Sequence, residues 1–226
     1  ASKATVNVTV DSANSTPGTL TITKGTSFSS GIIDGVSYNF VVLNDVSVTK
    51  SDTNFYFENL EIYEGVLVNY DYTHSQTSNP KSVFVLPDKN IDTSTITVSV
   101  RPNSGNSASQ LYSKSTDILD VTSESTVYFL QEGKDTRYQI YFGDGVLGKI
   151  LSAGNQVTLE YLATSGTVAN VSEKIPQTFS IGTSIQGYTD VSISTVQKSS
   201  GGSAEESIDE IKFNAVRTTE IGRAHV

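Results

Sequence analysis

Apolar residues in this chain recur at every second position, and they do so almost from its first residue to about Ser199. In residues 4–10, "ATVNVTV", Val6, Val8 and Val10 alternate with small polar residues, the pattern of a strand with one buried face. After a turn at "SANSTPG", residues 19–25 repeat it with Leu20 and Ile22 before Gly25. The runs "YNFVVLNDVSVTK", "NFYFENLEIYEGVLVNYDY" and "KSVFVLP" continue it with β-branched and aromatic residues between Gly, Asn, Asp and Pro, which punctuate strands. The pattern pauses at residues 87–90, "PDKN", and "STITVSVRP" restarts it. Residues 103–115 are polar and read as a long loop. A hairpin of two aromatic strands follows around residues 132–135. The next strand is "NQVTLEYLATSG", with Val157, Leu159 and Tyr161 on one face; the last is "YTDVSISTVQ", with Val191, Ile193 and Thr195 on one face.

Only one stretch carries a helical period. It opens at Gly201-Gly202, and Ser203 and Glu206 have the spacing of a capping box, in which the hydroxyl and the carboxylate each satisfy an early helical N–H. Ile208, Ile211 and Ala215 then form a single apolar stripe. Acids Glu205, Glu206, Asp209 and Glu210 lie toward the N-terminal end, and Lys212 and Arg217 toward the other, as the helix dipole favours. The expected fold is therefore mainly β: two β-rich, sandwich-like modules at residues 1–87 and 88–200, then the start of one α-helix at 201–219. The second module either follows the first or is inserted into it, because the last strands are free to return to the first sheet. The last seven residues, 220–226, "EIGRAHV", match the in-frame translation of a widely used sequencing adapter. With no initiator Met at position 1, a fragment is expected, with native sequence stopping near Thr219.

Composition removes whole classes of chemistry. Of 226 residues none is Cys, Met or Trp, so disulfides, thiolate metal sites and cysteine nucleophiles are excluded. A formal charge of −9 with scattered Lys and Arg opposes a nucleic-acid grip, which needs a clustered basic footprint. No apolar run approaches the length of a membrane helix, and no signal segment opens the chain. His225 falls in the adapter-like tail. The remaining histidine, His74, lies in the polar stretch "YDYTHSQTSNP" with no second His near it, and we expect it to be a solvated loop residue. Glu58, Glu61 and Glu64 recur at a spacing of three, but a strand context puts them on differing faces. The acids form no calcium-loop pattern, and the sequons at Asn7, Asn14 and Asn170 are no more than abundant Ser and Thr produce.

One motif needs a decision. "YQIYFGDGVLGK" holds G-x-G-x-x-G at Gly143, Gly145 and Gly148, the spacing of the dinucleotide fingerprint. That fingerprint requires a helix of normal length after the glycines and an acid about 20 residues on. Here the chain is back in a strand by Val157, and Ile150 stands where a phosphate loop needs Ser or Thr. Asp144-Gly145 is a strong turn dipeptide. We therefore read Phe142, Gly143, Asp144, Gly145 and Gly148 as a turn leaving an aromatic strand, and expect no catalytic, cofactor or metal residues.

The order of three motifs resembles the baseplate J-like family, and within it the large baseplate wedge subunit of T-even-type contractile phages. They are the aromatic strand ending in Gly143-Asp144-Gly145, the strand with Tyr161 followed by Gly166 and Asn170, and the helix start at Gly201, Gly202 and Glu206. The "ITKGTSF" turn, with Gly25, Thr26 and Phe28, and the linker and strand "LPDKNIDTSTITVSV" are also similar. Val171, where a glycine often follows, and Val216, where Pro is frequent, depart from it. The resemblance implies the central β-rich portion of a structural protein of the virion tail baseplate, assembled in the host cytoplasm with other wedge subunits and with itself. It implies no cofactor, small-molecule substrate, nucleic acid or membrane. The alternative is a secreted adhesin or carbohydrate-binding β-sandwich; an enzymatic rival would need a carboxylate pair in one cleft.

Overall fold

A computed structural model describes residues 1–12, 17–133, 137–172, 175–182 and 184–203. Fifteen strands were found among them: β1 (Lys3–Asp11), β2 (Thr19–Ile22), β3 (Ser27–Ser30), β4 (Asn39–Val41), β5 (Val46–Thr49), β6 (Asn54–Glu64), β7 (Val66–Thr73), β8 (Val83–Val85), β9 (Ile91–Arg101), β10 (Gln110–Lys114), β11 (Val127–Glu132), β12 (Tyr138–Phe142), β13 (Gln156–Ala163), β14 (Phe179–Ile181) and β15 (Val191–Ser200). The described residues contain no helix. The helix start expected from Ser203 falls at residues 204–226, outside the described residues, as do Glu206 and the adapter-like tail.

The first core forms inside a six-stranded sheet of order β14-β3-β4-β6-β1-β15, with the β2–β5 ribbon packed on the same cluster. Alternation along β1 buries Ala4, Val6, Val8 and Val10. The neighbouring β6 changes phase midway. Phe55 and Phe57 are buried, Glu58 and Asn59 are exposed, then Leu60, Ile62 and Glu64 are buried. A bulge makes this work: Val6 pairs with Leu60 but Val8 with Phe57, Asn59 takes φ 54°, and its N–H donates to Asn7 Oδ1 at 2.8 Å. One extra residue lets both halves of the strand face the same core. It also puts Glu58 and Glu61 outward and Glu64 inward.

The second core lies inside one seven-stranded sheet, β7-β13-β9-β10-β11-β12-β8. It curls until its edges meet: the Tyr72 hydroxyl on β7 donates to Val85 O on β8 at 2.7 Å, and Tyr72 and Phe84 rings lie 5.0 Å apart. The second unit is thus a curled sheet whose edge strands are joined through side chains rather than a sandwich. Within it Val157, Leu159 and Tyr161 share the buried face as the alternation requires.

Three readings of the sequence change. The polar segment read as a loop at 103–115 contains β10, which pairs antiparallel with β9 and parallel with β11. Only Tyr112 of its five residues is buried, so the segment carries almost no apolar alternation and its pairing comes from the strands on either side. The run "NFYFENLEIYEGVLVNYDY" is split at Gly65 between the two sheets, so β7 and β8 join the second sheet and the strands divide there, not at residues 87–90. His74 is 1% exposed, packed beside Phe84, not solvated. Its backbone N–H donates to Asn155 O and its carbonyl accepts from Gly154 N–H, so the 154–155 turn lies against it. Strands β14 and β15 return to the first sheet, so the chain enters the second sheet after Gly65 and leaves it after Ala163.

Candidate functional site

The crossing between the two sheets joins two buried polar side chains, Ser2 and Glu64, to a network of half-buried ones. Gly65 has φ +135°, and a Cβ there would sit 2.3 Å from Ala163 O; only glycine fits both the conformation and the space. Asn39 pins it, accepting its N–H on the backbone carbonyl at 2.9 Å and donating from Nδ2 to its carbonyl at 2.7 Å. Beside it Glu64 is buried. Its carboxylate accepts from Thr164 Oγ1 at 2.6 Å and from the Ser165 N–H at 3.1 and 3.2 Å, while its own N–H donates to Ser2 O at 2.8 Å. A buried carboxylate is tolerated only when donors replace its water. Here those donors come from the returning strand, so one side chain ties exit to entry.

Asn170 holds the other side. Its Nδ2 donates to Gly202 O at 2.8 Å and its Oδ1 accepts the Gly202 N–H at 2.9 Å, a pair of bonds resembling a strand ladder. Ser2 Oγ lies 2.8 Å from the same Oδ1 and 3.3 Å from Gly166 O. A Cβ on Gly202 would meet Ser2 Oγ at 2.3 Å and Gly166 O at 2.4 Å. Gly166 (φ +77°) and Gly201 (φ +82°) make the bends that bring these backbones together. Gly166 and Asn170, close in sequence, therefore form one cluster with the distant Gly202 and Ser2. Ser203 is exposed beside it.

The Gly25 turn rests on the same crossing. Gly25 (φ +82°) donates to Val42 O at 2.8 Å, and Thr26 Oγ1 donates to Thr23 O at 2.7 Å. This presents Lys24 to Glu160 on β13 as an ion pair between the sheets, while Phe28 enters the first core. An open cavity of about 750 Å³ lies beneath, lined by Lys3, Lys24, Tyr63, Leu67 and Glu160 among others. Its charges are used within the wall. Lys3 pairs with Glu61 at 2.8 Å, and the Tyr63 hydroxyl donates to Glu61 at 2.7 Å. The Lys3 hydrogen bond, then that of Tyr63, holds the Glu61 carboxyl below the usual range; burial, then the Glu61 bond, pushes Tyr63 up to about 12. Tyr161 is fully buried and donates to Asp88 Oδ2 at 2.6 Å; burial first and that bond second push its hydroxyl far up. Among the described residues no group of three or more His, Asp or Glu side chains could hold a metal ion.

The glycine turn lies apart from the crossing. Phe142 is buried edge-on to Phe84 and Tyr112, with ring centroids at 5.6 and 5.3 Å. Next to it Gly143 and Gly148 touch: a Cβ on Gly143 would lie 2.1 Å from the Gly148 carbonyl carbon. Asp144 Oδ1 accepts the N–H groups of Val146 and Leu147, both at 2.9 Å, and these bonds hold its carboxyl below the usual range. Gly145 and Gly148 both take φ +88°. The chain then closes a parallel bridge from Ile150 to Gly143 and runs on to β13. The glycines build a compact turn, and no helix follows to receive a pyrophosphate.

Sequence reasoning named Gly25, Tyr161, Gly166, Asn170, Gly201 and Gly202 but not Ser2, Asn39, Gly65 or Thr164, and it met Glu64 only as one of three evenly spaced acids. The one legible hint was Gly65 inside an otherwise continuous apolar run.

Two family descriptions match the chain in succession: "Baseplate wedge protein gp6, domain II" over residues 1–65, and "Bacteriophage baseplate wedge protein gp6, third domain" over residues 67–173. They meet where the structure crosses from one sheet to the other. The baseplate wedge protein gp6 of Enterobacteria phage T4 is 26% identical over 168 residues, covering 67% of this chain and 24% of that protein. The chain thus spans about a quarter of the length of this relative. With its two matched segments joined at Gly65 in the family's order, the chain belongs to the gp6 family of phage baseplate wedge proteins.

Proposed function

We propose that this chain is a non-enzymatic structural portion of a contractile-tail baseplate wedge, acting in the virion as a rigid spacer that joins other wedge subunits. In this reading residues 66–164 form a module inserted into one built from 1–65 and 165–203. The buried crossing carries the argument: Glu64, Gly65, Asn170 and Gly202 lock exit and return strands together, which suits a part that transmits load without hinging. The ionisable groups of the cavity are spent on each other, and an exposed acidic, Ser/Thr-rich surface suits solubility before assembly. Co-expression of the full-length protein with the other wedge proteins of its phage tests this. Co-migration as one stoichiometric complex is expected; a full-length protein that stays alone under conditions where the others assemble would count against it.

A further inference from the structure

Five large hydrophobic side chains left exposed by the fold belong to two turns at one end of the curled sheet. Ile118 and Leu119 stand on one turn, Val146, Leu147 and Ile150 on the glycine turn, and Leu119 and Val146 are 87% and 73% exposed. The turns are fastened to each other: the Gly148 N–H donates to Thr122 O at 3.0 Å and the Lys149 N–H to Ser125 O at 2.8 Å. Each tip is stiffened by an acid. Asp117 Oδ1 accepts the Leu119 N–H at 2.9 Å, and Asp144 Oδ1 accepts from Val146 and Leu147. The apolar side chains are thus displayed on a fixed backbone, which lowers the ordering cost of binding. Grouped exposed apolar residues of this kind mark interaction sites.

The surroundings choose the occupant. Asp117, Asp120, Glu124 and Asp144 stand on the same two turned segments and are exposed, against Lys149. Two copies meeting here would set acid against acid, which disfavours self-pairing. The described ends of the chain, Ala1 and Ser203, lie at the sheet crossing. That is the other end of β13, whose eight residues span roughly 26 Å at ~3.3 Å per residue. The geometry points to the tip of residues 117–121 and 143–150 as a docking surface for a different protein, one offering an apolar groove flanked by Lys and Arg. This rests on the chain being an assembly component.

The test uses the full-length protein with the other wedge proteins of its phage, followed by analytical ultracentrifugation. Wild type is compared with a Leu119→Ser/Val146→Ser variant and an Asp120→Lys/Glu124→Lys variant. The serine variant is expected to keep its Tm and lose about tenfold or more in affinity for the complex, as buried anchors do. The charge reversal should weaken assembly most at low salt. If the serine variant melts lower, the charge reversal decides. Wild type and both variants assembling equally well overturns the tip. A concentration-dependent homodimer that the serine variant abolishes makes the occupant a second copy and overturns a different protein as partner. Wild type that joins no complex overturns the functional reading, and this inference with it.

Discussion

Burial of His74 gives the molecule a dependence on pH that its neighbours in sequence conceal. Neither ring nitrogen has a hydrogen-bond partner among the described residues, and burial holds the imidazole's pKa below its ordinary value. The unfolded chain binds the proton more readily than the folded one, so stability rises with pH through this window. His74 contributes its full share above about 6.5, the unfolded value, and that share is lost as pH falls toward the depressed folded pKa. Urea melts at several pH values should show a loss of stability on acidification that His74→Phe reduces; an identical pH slope in the variant would remove the argument. Two glycines of the turn separate strain from space. At Gly145 a Cβ would meet Ile150 at an ordinary contact distance of 3.8 Å, and Gly145→Val bears mainly the left-handed φ, of order 1–3 kcal/mol. At Gly143 even Ala must displace the Gly148 backbone, so Gly143→Ala should lower the Tm more than Gly145→Ala does. Thermal melts of the pair check the order. The turn itself was legible from Asp144-Gly145, because turn chemistry is local. The burial of His74 was not, since the residues that cover it come from Phe84 and the 154–155 turn.

Strands were legible where alternation was strong, as in β1 and β13, and hidden where neighbours did the work, as in β10. The crossing between sheets shows the limit most clearly. Nothing in the spacing of "EIYEGVLV" says that residues before and after Gly65 face different cores, because both halves are good strand. The crossing predicts a steep response to small changes. Glu64→Ala leaves the Thr164 hydroxyl and the Ser165 N–H without their acceptor, at a cost of about 2–4 kcal/mol, in the range of one or two orphaned buried donors. Gly65→Ala combines a forbidden conformation with a 2.3 Å approach to Ala163 O and should be worse. Chemical denaturation of both variants measures this; Glu64→Ala melting like wild type would show that water substitutes for the carboxylate. By contrast Tyr72→Phe removes one bond to Val85 where the edges of the second sheet meet and should cost about 1 kcal/mol.

At the scale of the whole molecule there are two cores and one knot between them. Residues 64 and 164 are within hydrogen-bonding distance through the Glu64 carboxylate, so the ends of the 66–164 segment nearly coincide. Closing a short loop there carries little entropy. Replacing residues 67–162 with a short Gly/Ser turn should therefore leave the six-stranded sheet able to fold, with β1 still paired to β15. Circular dichroism and a cooperative urea melt would establish it; an unfolded product would mean that the first core needs the second. The chain pauses at residues 87–90 without changing sheet, since β8 and β9 on either side belong to the same seven-stranded sheet. A pause in alternation marks a loop, whereas a change of sheet requires only one residue able to turn a strand aside.

The sequence by itself determined the β class, the faces of the strongly alternating strands, the turn made by the G-x-G-x-x-G, and a kinship visible in the order of its motifs. Each of these depends on neighbours within about ten residues or on the succession of such stretches. Only the tertiary structure decided which strands share a sheet, that the second sheet curls until its edge strands meet, that Gly166, Asn170 and Gly202 meet Ser2 and Glu64, and that five apolar side chains were left outside together. Strand pairing and the burial of polar groups are settled between segments tens to nearly two hundred residues apart, where backbone hydrogen bonds are alike for every sequence and only the fit of whole surfaces selects one arrangement.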